Sequence, residues 1–214
     1  SVEGTVGSLT GSVSTLEKLS ETDPELLAKY SKVYFLSEHF TPPQLSAVDP
    51  LYLYYEWRPE SIDAREWPFV RNMLDAAHAD GEKLWVVSGY RSFDKQADLK
   101  SRYTVQYGSG ANTFAADQGY SEHQLGTAAD FITSGLGGEL EGFENTSTYQ
   151  WMRQNAYRYG FTLSYPQNNA YYIFEPWHWR FVGIELATYL HNTGKQFYDL
   201  EQRDIDKYLV NLFD

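Results

Sequence analysis

After Pro68 the apolar positions recur with a helical period. Val70, Met73, Leu74 and Ala77 fall at i, i+3, i+4 and i+7, on one face, and Gly81 supplies a stop, so the spacing predicts an amphipathic helix. KLWVVSGY is a continuous apolar run that predicts a buried strand ending at Gly89. SFDKQADLKSRYTVQYG returns to helix, closed by Gly108, while GSGANTFAADQGYSEHQLG has no clean period and is expected to be an ordered loop. AADFIT is a second strand. TSTYQWMRQNAYRYG predicts a helix capped by Thr146 or Ser147 and stopped by Gly160. FTLSY, AYYIF and HWRFV are short strand candidates, followed by a helix in GIELATYLHNTG and a last amphipathic segment near DLEQRDIDKYLVNLF.

Upstream, the Ser/Thr/Gly-rich residues 1–22 are expected to form a flexible linker. A helix is expected from Asp23, with Pro24 in its first turn, and FTPPQLSAVDP is turn-rich and expected to be loop. Residues 23–214 are read as a single domain without internal repeats. The late strands follow one another too closely for helical crossovers, so at least part of the sheet must be antiparallel. The expected class is α+β, with helices packed around a small, mainly antiparallel sheet.

Composition narrows the chemistry. The 42% apolar and 21% charged fractions are those of a globular protein, and no run reaches the length of a membrane span. A formal net charge of −12 argues against nucleic acid as a partner. With no cysteine, the chain has no disulfide, no thiolate nucleophile and no cysteine-ligated zinc. The 18 tyrosines are read as filling the core and its margins.

Among five histidines, His39, His78, His123, His178 and His191, two keep unusual company. His123 lies in Ser121-Glu122-His123-Gln124-Leu125-Gly126-Thr127-Ala128-Ala129-Asp130, and His178 in Glu175-Pro176-Trp177-His178-Trp179-Arg180. A catalytic zinc takes three imidazole or carboxylate ligands and keeps an open position for water. His123, Asp130 and His178 are candidates for those ligands, and Glu175 is a free carboxylate that could move a proton. By spacing alone the case for a metal is weak: a histidine and an aspartate seven apart are common, and a lone histidine beside two tryptophans is more often a packed core group. His39, His78 and His191 lack a carboxylate at a metal-recruiting spacing and are read as structural or surface residues.

The pattern Ser-x-His-x-x-Gly-x-Ala-x-Asp, complete in Ser121, His123, Gly126, Ala128 and Asp130, followed by Glu175-Pro176-Trp177-His178, resembles the VanY-like D-alanyl-D-alanine carboxypeptidases. That family shares its zinc site with VanX dipeptidases and, more remotely, the Hedgehog signalling domain. Ser88-Gly89-Tyr90-Arg91-Ser92, with Gln96 five residues after Arg91, matches a third family element, and the likeness spans about Phe40 to Asn192. The resemblance implies a Hedgehog/DD-peptidase-like fold, Zn2+ on His123, Asp130 and His178, and Glu175 as general base and acid. It implies that Arg91 faces the substrate, on either the oxyanion or the terminal carboxylate, and that Gln96, Ser121 and Tyr165 contact the peptide. Bland alternatives stand beside these: Arg91 pinning a strand end, Gln96 solvated, Ser121 capping a turn, Tyr165 in the core. Asp117 and Glu122 are candidates for tuning the ligands from behind.

The implied activity is removal of D-Ala from peptidoglycan stem peptides by a monomeric protein exported to the cell envelope, anchored there through a removed amino-terminal segment. The alternatives are L,D-carboxypeptidase action on tetrapeptide stems, an endopeptidase, a non-catalytic wall-binding module and a signalling domain. The stretch Pro166 to Phe174 is shorter than in typical members and lacks their Gly/Lys-rich turn, so the accepted stem peptide does not follow from the resemblance.

Overall fold

A computed structural model of the chain describes residues 32–33, 36–107, 116–208 and 211–213. The amino-terminal linker, residues 23–31 of the helix expected from Asp23 through Lys32, and the stop at Gly108 lie outside the described residues; Lys32 itself is not helical. In chain order the elements are β1 (Leu45–Ala47), β2 (Ser61–Asp63), α1 (Trp67–Ala79), β3 (Leu84–Ser88), α2 (Phe93–Tyr107), β4 (Ala128–Thr133), α3 (Ser147–Asn155), β5 (Phe161–Leu163), β6 (His178–Phe181), α4 (Ile184–Thr193) and α5 (Gln202–Asp206).

The apolar runs pair as their composition requires. β3, β4, β6 and β5 form one sheet in that order, every pair antiparallel. All residues of β4 and β6 are buried, so the polar Asp130, His178 and Arg180 are enclosed together with their apolar neighbours. α1 packs on β3 and α4 on β5. The helical face expected from Val70, Met73, Leu74 and Ala77 is fully buried. Phe131, Phe161 and Phe181 meet edge to face, with centroids 5.5 to 6.1 Å apart. Each such ring contributes about 1.5–3 kcal/mol by leaving water.

Two glycines bring the site elements together. A Cβ on Gly89 would stand 2.4 Å from the Ser61 carbonyl oxygen, so only glycine lets the end of β3 cross β2 this closely. Gly126 holds φ at +75° and closes the 3-10 turn Glu122–Leu125, sending the chain into β4.

Four local expectations change. Leu45–Ala47, expected as loop, pairs with Ser61–Asp63 in a separate two-stranded sheet. Its brevity and the preceding Pro42-Pro43 hide it from any period. AYYIF forms no strand, because the Asn169 side chain accepts the backbone N–H groups of Tyr171 and Tyr172 and diverts them from a ladder. The helix at TSTYQWMRQN, capped by the Thr146 hydroxyl, tightens to a 3-10 turn at Ala156–Tyr159 before Gly160. Among the described residues of the carboxy-terminal stretch, only Gln202–Asp206 is α-helical. No helix among the described residues is long and apolar enough to cross a membrane.

Candidate metal centre

Antiparallel register sets two of the three candidate ligands side by side. Asp130 on β4 is the direct partner of His178, the first residue of β6. The 3-10 turn before β4 brings His123 over the same point. His178 Nδ1 lies 2.9 Å from Asp130 Oδ1, and His123 Nε2 lies 3.3 Å from Asp130 Oδ2. One ligand atom from each residue falls within 4.8 Å of the others, a separation suited to a shared cation, and all three residues are buried. Two imidazoles and a carboxylate, with no thiolate, form the donor set of a catalytic zinc, so the residues present fit that metal.

Both rings are held from behind. His123 Nδ1 lies 2.7 Å from the Gly89 carbonyl oxygen. A carbonyl only accepts, so Nδ1 carries the hydrogen and the lone pair of Nε2 faces Asp130. His178 Nε2 lies 2.8 Å from Glu122 Oε2. Glu122 also accepts from Arg180 Nη1 at 3.1 Å and from the Tyr198 hydroxyl at 2.7 Å. Burial opposes its ionisation, but Arg180 and His178 outweigh burial and hold its carboxyl at about 2. Asp130, also opposed by burial, is held well below the usual carboxylate range by His123 and His178. The resulting negative potential at the imidazole edges is what a divalent cation answers.

The ligands open onto a cleft of about 1000 Å³ that Arg91, Gln96, Ser121, Tyr165 and Glu175 also line. Burial pushes the Glu175 carboxyl up to about 7, against the pull of His178 and with Asp130 adding to the rise. Arg91 donates from Nη1 to Gln96 Oε1 at 2.8 Å and from Nη2 to Ser88 Oγ at 3.2 Å. Gln96 is buried, donates in turn to the Ala116 carbonyl at 2.7 Å, and is therefore not the solvated residue its helix position allowed. Ser121 begins the 3-10 turn, yet its side chain makes no capping bond. Tyr165 belongs both to the buried core and to the cleft wall.

Of the two residues expected to tune the ligands, Glu122 reaches one; Asp117 does not. Asp117 is largely exposed and pairs with Lys100 at 3.1 Å, because its loop turns the side chain outward. His39 is exposed beside Glu38, His78 bonds the Leu84 carbonyl, and His191 stacks on Tyr157. Sequence reasoning missed Arg180 and Tyr198. Arg180 carried a signal: it alternates with His178 on a strand, so both side chains leave β6 on the same face. Tyr198 carried none, being distant in sequence.

Comparison with known proteins agrees with this geometry. The family model for VanY, D-alanyl-D-alanine carboxypeptidase, matches residues 60–184. A D-alanyl-D-alanine carboxypeptidase of Enterococcus faecalis is 36% identical over 148 residues, covering 63% of this chain and 53% of the relative. The chain thus spans about half the length of that curated relative. Among solved structures, the LdcB LD-carboxypeptidase, described in terms of peptidoglycan recognition, superposes with a TM-score of 0.70 at 33% identity over 82% of each chain. A vancomycin resistance D,D-pentapeptidase VanY from a VanB-type cassette, in complex with Zn(II), superposes with a TM-score of 0.63 at 30% identity, over 79% of this chain and 98% of the other. His123, Asp130, His178 and Glu175 all fall inside the matched region, and the chain belongs to the VanY D-alanyl-D-alanine carboxypeptidase family.

Proposed function

We propose that this chain is a zinc-dependent D-alanyl-D-alanine carboxypeptidase that hydrolyses the terminal D-Ala from peptidoglycan stem peptides. The observation that carries the reading is the convergence of His123, Asp130 and His178 on one point, with Glu175 and Arg91 facing the same cleft. His123, Asp130 and His178 would hold the metal, which when bound supplies Lewis-acid polarisation of a carbonyl and acidifies a water. Glu175, raised toward neutrality by burial, is suited to accept the proton of the attacking water and return it to the departing amine. Arg91, anchored by Gln96 and Ser88, offers its remaining N–H groups to a negative oxygen of the substrate, either the terminal carboxylate or the oxyanion. Ser121 and Tyr165 contribute contacts along the peptide. Such a substrate puts the working site in the cell envelope.

L,D-carboxypeptidase action on tetrapeptide stems is the second reading, favoured by the higher TM-score to LdcB. Mass spectrometry of a stem pentapeptide ending in D-Ala-D-Ala, with and without a zinc chelator, tests both. Chelator-sensitive loss of one alanine is the expected result. Cleavage of the tetrapeptide alone would install the second reading, and no product from either, with zinc bound, would remove the carboxypeptidase assignment.

A further inference from the structure

Glu122 is fully buried and uses both carboxylate oxygens. One faces His178 Nε2 at 2.8 Å; the other accepts from Arg180 and from Tyr198. With one oxygen accepting from the Arg180 guanidinium and the Tyr198 hydroxyl, Glu122 offers the other as an acceptor, so the hydrogen between Glu122 and His178 sits on Nε2. Nδ1, the atom beside Asp130, is then the nitrogen left to give up its hydrogen and offer a lone pair to a metal. Glu122 is itself placed by groups from two parts of the chain. Arg180 comes from β6 and is sandwiched against Phe197, its guanidinium carbon 4.6 Å from the ring centroid. Tyr198 comes from the 3-10 turn Phe197–Asp199, beyond the family-matched region that ends at residue 184. Lys32 Nζ donates to the Tyr198 carbonyl at 2.6 Å and ties that turn down further.

We propose that Glu122 is a positioning residue that holds His178 in its Nδ1-ligating tautomer, and that the turn Phe197–Asp199 completes the metal centre through the Tyr198–Glu122 bond. The inference rests on the zinc reading of the site. A ligating histidine whose far nitrogen loses its carboxylate typically binds metal about 10–100-fold more weakly. Glu122 is thereby distinguished from a carboxylate that merely neutralises Arg180, because only the positioning role reaches the metal.

The test measures zinc dissociation constants by chelator competition and the visible spectrum of the Co(II)-substituted protein, for the parent, Glu122→Gln and Tyr198→Phe. Glu122→Gln is expected to weaken zinc about 10–100-fold and shift the Co(II) bands. Tyr198→Phe keeps the ring and is expected to shift the same bands with a smaller loss of affinity. Long-range proton–nitrogen spectra of the zinc-loaded parent should show His178 protonated at Nε2. If Glu122→Gln fails to fold, Tyr198→Phe decides alone. Parent affinity and an unchanged Co(II) spectrum in a folded variant would overturn the proposal, as would an unprotonated Nε2. A parent that binds no zinc would overturn the metal reading with it.

Discussion

Tyr165 lies flat on His178, ring centroids 4.7 Å apart and planes within 5° of parallel. A ligand ring stacked on a buried aromatic cannot swing, so the position of Nδ1 is set by packing as well as by hydrogen bonds. Removing the ring should therefore cost both fold and metal. Tyr165→Ala is expected to lose about 3–5 kcal/mol of stability, as other buried aromatic truncations do, and to weaken zinc. Tyr165→Phe preserves the stack and should keep zinc affinity at the parent value. Equilibrium urea unfolding and chelator competition on the two variants check this. A fall in kcat/KM for Tyr165→Phe with zinc unchanged would assign the hydroxyl to the substrate.

Glu175→Gln tests whether the proposed proton carrier is separable from the proposed ligands. Glu175 is outside the three-residue ligand set, so zinc content should stay at the parent value. Turnover should fall by about 10²–10⁴, the usual contribution of a positioned acid–base group. Metal analysis beside steady-state rates gives the answer. Near-parent turnover would show that another group moves the proton.

The same variant makes a prediction about stability in the metal-free protein. Burial raises the folded-state carboxyl of Glu175 to about 7 from an ordinary 4.5. The folded state thus binds this proton more tightly than the unfolded chain, so the stability it contributes is complete below about 4.5 and is lost as pH rises through about 7. Glu175→Gln carries no such proton. Relative to the parent it should gain on the order of 1–3 kcal/mol between pH 5 and pH 8 in urea melts of chelator-treated protein. A difference that does not grow with pH would show that Glu175 titrates normally.

The candidate ligand set was legible because His123 and Asp130 stand in one family-like motif and His178 in another; the scarcity of histidine and the spacing of carboxylates alone left it weak. The strands at 84–88 and 128–133 were legible because each concentrates apolar residues that the fold buries, Leu84, Val86 and Val87 in one and Ala128, Ala129, Phe131 and Ile132 in the other. What could not be read was register. Nothing in the sequence says that Asp130 stands opposite His178, or that a shift between Val86 and Ser88 sets Ser88 against Asp130. Nor could AYYIF betray that Asn169 would capture its backbone donors, since that contest is settled by a side chain outside the apolar pattern. Tyr198 was illegible for a third reason: its bond to Glu122 spans 76 residues, with no motif around Tyr198 itself.

Zinc should also stabilise the fold. Ligand binding to the folded state adds about 2.7 kcal/mol when free metal is a hundredfold above its dissociation constant. The melting temperature of the parent should rise with zinc and fall with chelator. In His123→Ala, which removes one of the three ligands, that difference should vanish. Zinc-dependent melting that survives the substitution would mean that the metal sits elsewhere.

Gln96 decides how Arg91 is aimed. Its Oε1 takes the Arg91 Nη1 hydrogen bond while its amide is fastened to the Ala116 carbonyl, so a buried amide from α2 sets the angle of a guanidinium that follows β3. Gln96→Met keeps the volume and removes both bonds. A hydrogen bond to a charged group is worth about 1.5–3 kcal/mol, so kcat/KM should drop roughly 10–100-fold if that energy serves to hold Arg91 for the substrate. Zinc occupancy should be unaffected, because neither residue belongs to the ligand set. The division of the loss is informative. A rise in KM for peptides with a free terminal carboxylate would assign Arg91 to that carboxylate, whereas a fall in kcat at constant KM would assign it to the oxyanion. Parent kinetics would mean that Ser88 alone suffices to hold the guanidinium, and that Gln96 is there for the loop at Ala116.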